Sequence, residues 1–157
     1  MNLDIKLSST TEVLNALKNA QPGIKKATVP VMETFANAVA KGATARANGG
    51  QVRNLYRSKS GGKLHPKFTV SNPGTFWFRV SAAQSGATAK AQMLQEFSAN
   101  SFSRQGKGFI AALNSAYGSK TGRILWYTHD KLDTAYVASM IAAVEKAAAE
   151  INKVTEA

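Results

Sequence analysis

The chain has 157 residues, 44% of them hydrophobic, and a formal net charge of +11. This length and composition predict a single domain, residues 1–157, with a substantial core. The absence of cysteine excludes disulfides, thiolate catalysis and Cys-ligated metals. Neither a signal-peptide pattern nor a run of about 20 apolar residues is present, so we expect synthesis in a cytoplasm and no membrane contact.

The positive charge is concentrated in the first half of the chain. Residues 1–79 hold twelve Lys and Arg against three acids (+9), and residues 80–157 hold eight against six (+2). Between Glu33 and Glu96 there are nine cations and no acid. Such asymmetry bears on solubility and on partners, such as nucleic acid, an anionic membrane or an acidic protein, and it carries no information about the fold.

Two helices are predicted at the N-terminal end. Ser9 and Glu12 form a capping box for a short helix that ends before Pro22 and Gly23. A second helix runs to the "NGG" at 48–50, and Pro30 either opens its main part or kinks it. Its predicted apolar face consists of Ile24, Ala27, Val31, Phe35, Ala38 and Val39.

A loop and a hairpin follow. Residues 51–66 combine one helical turn with "SKSGGK", whose composition predicts a flexible basic loop at 57–67. "KFTVS" and "TFWFRVS" are predicted strands around an "NPG" turn at 72–74. The alternation directs Phe76, Phe78 and Val80 to the core and Trp77 and Arg79 outward.

Residues 83–118 fit more than one structure, whereas the residues after them give definite predictions. "ATAKAQMLQEFSANSF" fits either a helix bearing Met93, Leu94 and Phe97 or a loop with a short strand, and "GFIAALNSAYG" is equally open. "RILWYT" (123–128) predicts a strand, and the apolar repeat from Val137 to Ile151 predicts a long C-terminal helix that begins near Asp130. The predicted fold class is α+β, with two N-terminal helices and a long C-terminal helix packed on a small antiparallel sheet.

Catalytic groups are sparse in this sequence. His65 and His129 are far apart and show no metal-ligand spacing, and the nine acids form no distinctive pair. The glycine pairs lack the phosphate-loop pattern. We therefore expect a protein that is not an enzyme and that carries no cofactor or metal.

The candidate functional residues are the cations of the acid-free segment. No recognition helix, zinc module or aromatic platform accompanies them, which argues against reading of base sequence. The segment faces DNA without reading it, packs against an acidic protein surface, or is a solvated loop. The side chains concerned are Lys41, Arg46, Arg53, Arg57, Lys59, Lys63 and Lys67.

The order of these segments resembles the tail completion proteins of long-tailed bacteriophages, which include the minor tail protein Z type. A short helix "TTEVLNALKNA" precedes a longer Ala-rich helix and the basic "GGQVRNLYRS". The two strands, "MLQEFS", the strand "GRILWYT" and the terminal helix "LDTAYVASMIAAVEKAAAEI" then follow.

The resemblance implies a structural protein of the virion. Such proteins form a ring, expected here to be hexameric, at the joint between head and tail, and genomic DNA passes through the lumen without being read. The expected partners are other copies of the chain and the neck and tail-tube proteins. Two alternatives are a tail terminator of the same tail and, from charge alone, a nonspecific nucleic-acid-binding protein of the cell.

Overall fold

The computed structural model describes residues 22–49, 52, 55–57, 60–74, 77–82, 86–118 and 122–155. Its elements are α1 (Pro22–Gly49), β1 (Thr69–Gly74), β2 (Trp77–Ser81), α2 (Gly86–Phe97), α3 (Arg104–Tyr117) and α4 (Leu125–Thr155). Helices and a small antiparallel sheet confirm the α+β class. The short helix predicted before Pro22 lies outside the described residues, so the pair of N-terminal helices stays a prediction.

Helix α1 confirms the predicted helix, but a different face is buried. It begins at Pro22, so Pro30 lies inside the helix and does not open it. Of the predicted apolar face only Val39 is buried, while the ring of Phe35 is half-buried. The face that packs is composed mainly of small side chains, which let neighbouring elements approach closely: Thr28, Met32, Ala36, Val39, Ala40, Ala43 and Ala47.

Helix α4 runs antiparallel along α1. A Cβ atom added at Gly42 would lie 2.6 Å from Thr128 Cγ2, so glycine is required for this close approach. Further along, the ring of Phe35 stacks on Tyr136 with centroids 4.2 Å apart. The extended contacts of α1 are made both to α4 and to the hairpin, so the predicted packing of the terminal helix directly on the sheet stays a prediction.

The predicted hairpin is confirmed as an antiparallel pair. Val70 pairs with Val80, and β1 continues through the predicted "NPG" turn until Gly74 pairs with Trp77. Phe78 and Val80 are half-buried while Trp77 and Arg79 are exposed, as the alternation predicted. Phe76 lies outside the described residues.

The core lies where α1, the hairpin and the later helices meet. Leu113 and Ile124 are almost completely buried, and they join alanines of α1 with Val52, Leu55, Phe68 and Tyr117. A smaller cluster around Met32 includes Phe78, Tyr136 and Met140. The described helices include none that is both long enough and apolar enough to cross a bilayer.

The two segments between residues 83 and 118 whose structure the sequence left undecided each contain a helix. Helix α2 bears Met93, Leu94 and Phe97, in line with the helical alternative. At the start of α3 the Ser103 side chain caps the helix, because its Oγ accepts a 3.0 Å hydrogen bond from the Gly106 N–H.

The predicted strand at 123–128 is wrong. Arg123 and Ile124 form a turn, and α4 begins at Leu125, before the predicted start near Asp130. The Glu96 carboxylate accepts hydrogen bonds from the Ile124, Leu125 and Trp126 N–H groups at 2.8, 3.2 and 3.3 Å. A buried acid thus satisfies the free donors of the helix start and favours helix over strand.

Candidate basic interface

The structure separates the predicted basic residues into two groups. Lys41 and Arg46 lie on α1, while Arg57, Lys63 and Lys67 are exposed in the segment that follows it. Arg53 and Lys59 lie outside the described residues. The predicted cations therefore do not form one continuous cluster among the described residues.

The segment after α1 is held at its base by backbone contacts. Arg57 and Lys63 form an antiparallel bridge, and the Leu64 N–H donates to the Tyr56 carbonyl at 2.9 Å. The Asn48 side chain donates to the Pro66 carbonyl at 3.1 Å, which ties the segment to the end of α1. The bridge brings two cations side by side at the edge of a cavity of about 390 Å³.

A larger open groove of about 710 Å³ lies between α1, α4 and the end of α3. Its cations are Lys41 and Arg46 from α1 and Lys131 from α4. The residues that line it, all of them described, include no Asp or Glu. We call it the basic groove, and its remaining lining residues are Ala38, Gly42, Ala45, Gly49, Ala116, Tyr117, Tyr127, Thr128 and Leu132.

Arg46 is fixed at the wall of the basic groove. Its Nε donates to the Arg123 carbonyl at 2.7 Å, and its Nη2 donates to the Tyr117 carbonyl at 3.0 Å. Its Cζ atom lies 3.7 Å from the centroid of the Tyr127 ring, a cation–π distance. These partners orient the guanidinium without neutralising its charge, because none of them is a carboxylate.

Sequence reasoning missed Tyr127 and Lys131 as members of this site. Both were assigned to a strand or to its junction with the last helix, 81 to 90 residues away from Lys41 and Arg46. The antiparallel packing of α1 and α4 brings them together. Their helical spacing of four residues was the available signal, but it becomes visible only once α4 is extended back to Leu125.

Helix α2 buries its polar face. Gln92, Gln95 and Glu96 are 3%, 0% and 7% exposed, whereas Met93 and Phe97 are 62% and 58% exposed. The polar side chains have specific partners: Gln92 donates to the Lys67 carbonyl at 3.3 Å, and Gln95 accepts from the Tyr56 hydroxyl. The hydrogen bonds of this face fix the rotation of α2 and turn its large apolar side chains outward.

Arg123 lies beneath α2 and links three elements. It is 2% exposed, and it donates to the Gly118 carbonyl at 3.1 Å, the Gln95 carbonyl at 3.3 Å and Asn114 Oδ1 at 2.7 Å. Burial lowers the pKa of the Arg123 guanidinium, and the nearby Glu96 carboxylate opposes that shift. Arg123 and Glu96 thus belong to the framework that orients α2.

In the described part of the chain, two helices expose groups of large apolar side chains, and Trp77 of the hairpin is also exposed, at 41%. We define the α2 face as Met93, Leu94 and Phe97, and the α4 stripe as Val137 and Ile141. Leu94 is 49% exposed, and the two residues of the α4 stripe are 48% and 53% exposed. Phe102, which follows the α2 face in the chain, is fully exposed.

The histidines do not form a metal centre with their described neighbours. His129 lies within α4, where its Nδ1 is 3.2 Å from Asp130 Oδ1, and its ring contacts Phe35 edge-on. His65 is exposed beside Pro66. Groups of three or more His, Asp or Glu side chains arranged to hold a metal do not occur among the described residues.

Comparison of the chain with models of protein families, with curated proteins and with solved structures gave no match.

Proposed function

We propose that this chain is a non-enzymatic structural subunit of a tailed-phage virion, which assembles with copies of itself into a ring at the joint between head and tail. The observation that carries the proposal is the inverted burial of α2, in which Gln92, Gln95 and Glu96 are inside while the α2 face is outside. Burying a large apolar side chain contributes roughly 1.5–3 kcal/mol. An assembled state that covers the α2 face gains that stabilisation.

The presence of two separate apolar surfaces supports a ring. A head-to-tail contact joins two different surfaces of the same subunit, and it closes into a ring when the rotation between copies permits. The α2 face and the α4 stripe belong to different helices, as such a contact requires. In this proposal the α2 face of one copy packs on the α4 stripe of the next.

The assignment to a phage neck rests on the order of segments. The Ala-rich helix, the basic segment, the hairpin and the long terminal helix follow one another as in tail completion proteins, although the expected strand before the terminal helix is helical here. The acid-free basic segment supports a subunit whose inner surface meets passing DNA without reading it. A tail terminator of the same tail has the same class of architecture and is the nearer alternative.

A nonspecific nucleic-acid-binding protein of the cell is the more distant alternative. Cations alone account for such binding, since phosphate contacts release counterions whatever the base sequence. The α2 face has no role in that function. The apolar exposure therefore favours assembly over this alternative.

Rate-zonal sedimentation of a native lysate, with detection of this chain by mass spectrometry, tests the proposal. We expect co-migration with particles of tail or virion size that persists at about 0.5 M salt, which screens loose phosphate contacts. Recovery only in slowly sedimenting fractions, or with nucleic acid that salt removes, would contradict the proposal.

A further inference from the structure

The basic groove combines cations that are distant in sequence but adjacent in the fold. Lys41 and Arg46 come from the last turns of α1, and Lys131 comes from the second turn of α4. Two helices that pack closely at Gly42 and Thr128 hold the three positive groups around one concavity. Their arrangement therefore depends on the most closely packed part of the helix pair.

The positive charge of the basic groove is not neutralised by the side chains that line it. Arg46 donates to backbone carbonyls and stacks on Tyr127, and Lys131 Nζ lies 5.6 Å from the same ring. Lys41 is exposed on α1. Since no carboxylate is among the lining residues, an anion that enters the groove meets three positive groups and no opposing charge.

Small residues of α1 form part of the lining of the basic groove. Ala38, Gly42 and Ala45 occupy successive positions on one side of α1, so the concavity results from their small side chains. The lysines at the rim are flexible point charges, which bind phosphate without demanding bidentate geometry. This combination suits a phosphate backbone that is contacted independently of sequence.

We propose that the basic groove is a contact site for the sugar-phosphate backbone of duplex DNA. The choice of duplex DNA rests on the proposed function, in which the genome passes the subunit. Lys41 and Arg46, which the sequence predicted as functional cations, line this groove. Lys131, which the sequence did not single out, lines it with them. Arg46 is held in place by its hydrogen bonds and packs on the ring of Tyr127. The two lysines supply the contacts to phosphate.

A pair of double variants tests this site. Lys41→Gln/Lys131→Gln removes both rim lysines, and Lys107→Gln/Lys146→Gln removes two exposed lysines of α3 and α4 that do not line the groove. Both variants lower the formal net charge from +11 by the same two units. Fluorescence anisotropy with two duplexes of unrelated sequence gives the affinity between about 50 and 200 mM salt, the range in which phosphate contacts respond strongly.

We expect the groove variant to bind both duplexes at least about tenfold more weakly at 50 mM salt. Its slope of log K against log salt should be smaller by about 2, since each phosphate contact contributes about 0.9. The control variant should change much less in both quantities. Arg46 is left in place because its hydrogen bonds join α1 to the turn before α4.

Three results would overturn the inference. They are equal losses in the two variants, no measurable binding of duplex by the native chain at 50 mM salt, and binding of a poly-glutamate peptide to the groove as tightly as duplex. Sedimentation velocity on the same samples reports self-association separately. A native chain that assembles but does not bind duplex would thus count against the groove alone, and a native chain that does not assemble would count against the proposed function.

Discussion

The carboxylate of Glu96 accepts a 2.8 Å hydrogen bond from the backbone N–H of Ile124, 28 residues further along the chain. The Leu125 and Trp126 N–H groups donate to the same carboxylate, and the Gly122 N–H donates to the Glu96 carbonyl at 2.7 Å. The end of α2 therefore caps the start of α4. The same contact turns Met93, Leu94 and Phe97 to the outside.

Replacing Glu96 by Ala should destabilise the monomer. The variant leaves three N–H groups at a buried helix start without their acceptor, and we expect a loss of about 2–3 kcal/mol in the free energy of unfolding. Urea denaturation measures it. The control Glu145→Ala removes an exposed acid of α4 and should change the free energy of unfolding by less than about 0.5 kcal/mol. Equal effects of the two variants would refute the capping role of Glu96.

Gly42 should be sensitive to a single added methyl group. A Cβ atom there would lie 2.6 Å from Thr128 Cγ2, so Gly42→Ala should destabilise despite the better helix propensity of alanine. Adding Thr128→Ser removes that methyl group and retains a hydroxyl that can donate to the Ile124 carbonyl, as Thr128 does at 2.7 Å. The double variant should therefore recover part of the loss in a double-mutant cycle.

The control for this cycle is Gly108→Ala. It adds the same methyl group to α3 at a position with no heavy atom within 4 Å. We expect it to raise stability by about 0.5–1 kcal/mol through helix propensity alone. If Gly42→Ala were as favourable, the close contact between α1 and α4 would be wrong.

Tyr56 should make stability fall at alkaline pH. Burial, followed by the charges of Tyr117 and Glu96, raises the pKa of the Tyr56 phenol far above its usual value of 10.0. The unfolded chain loses this proton above about pH 10 while the folded chain keeps it, so ionisation favours unfolding as pH rises. The free energy of unfolding, measured from pH 9 to 11, should decline less steeply in Tyr56→Phe than in the native chain.

The matched control is the same pair of proteins at pH 7, well below the usual phenol pKa of 10.0, where the difference in the free energy of unfolding reports the loss of the Tyr56 hydroxyl alone. A native-like slope in Tyr56→Phe would show that the Tyr56 phenol ionises equally in both states.

Local patterns predicted those elements whose determinants are local. The end of α1 follows from "NGG", although its predicted apolar face is not the one that is buried, and the hairpin follows from alternation around Phe78 and Val80. "RILWYT" resembles a strand because its residues favour one, yet Glu96 provides a distant cap that makes it helical. Periodicity alone could not reveal that partner.

The candidate site was predicted only in part for the same reason. Lys41 and Arg46 stood out because acids are absent around them, whereas Lys131 joins them only through the packing of α4 on α1. The α2 face could not be predicted, because apolar residues are expected inside. The side chains of Gln92, Gln95 and Glu96 are buried and hydrogen-bonded. This places Met93, Leu94 and Phe97 on the outside of the helix.

Polar substitution of the α2 face should abolish assembly without unfolding the subunit. Leu94→Ser/Phe97→Ser changes two exposed side chains, so its urea midpoint should match that of the native chain. Its self-association should weaken by at least a factor of 100, since the burial of two large apolar side chains is lost. Ala111→Ser/Ala112→Ser changes two exposed alanines of α3 and should leave self-association unchanged, with only the small loss of stability, about 1 kcal/mol or less, that helix propensity predicts.

The most direct test of the account is sedimentation velocity of the purified full chain over a wide concentration range, beside Leu94→Ser/Phe97→Ser. We predict that the native chain associates into a closed oligomer of defined size and that the variant remains a folded monomer. A native chain that stays monomeric at every concentration, or a variant that associates as the native chain does, would contradict the claim that the α2 face is an assembly surface. A variant that unfolds would also contradict it, because the α2 face would then be covered within the subunit itself.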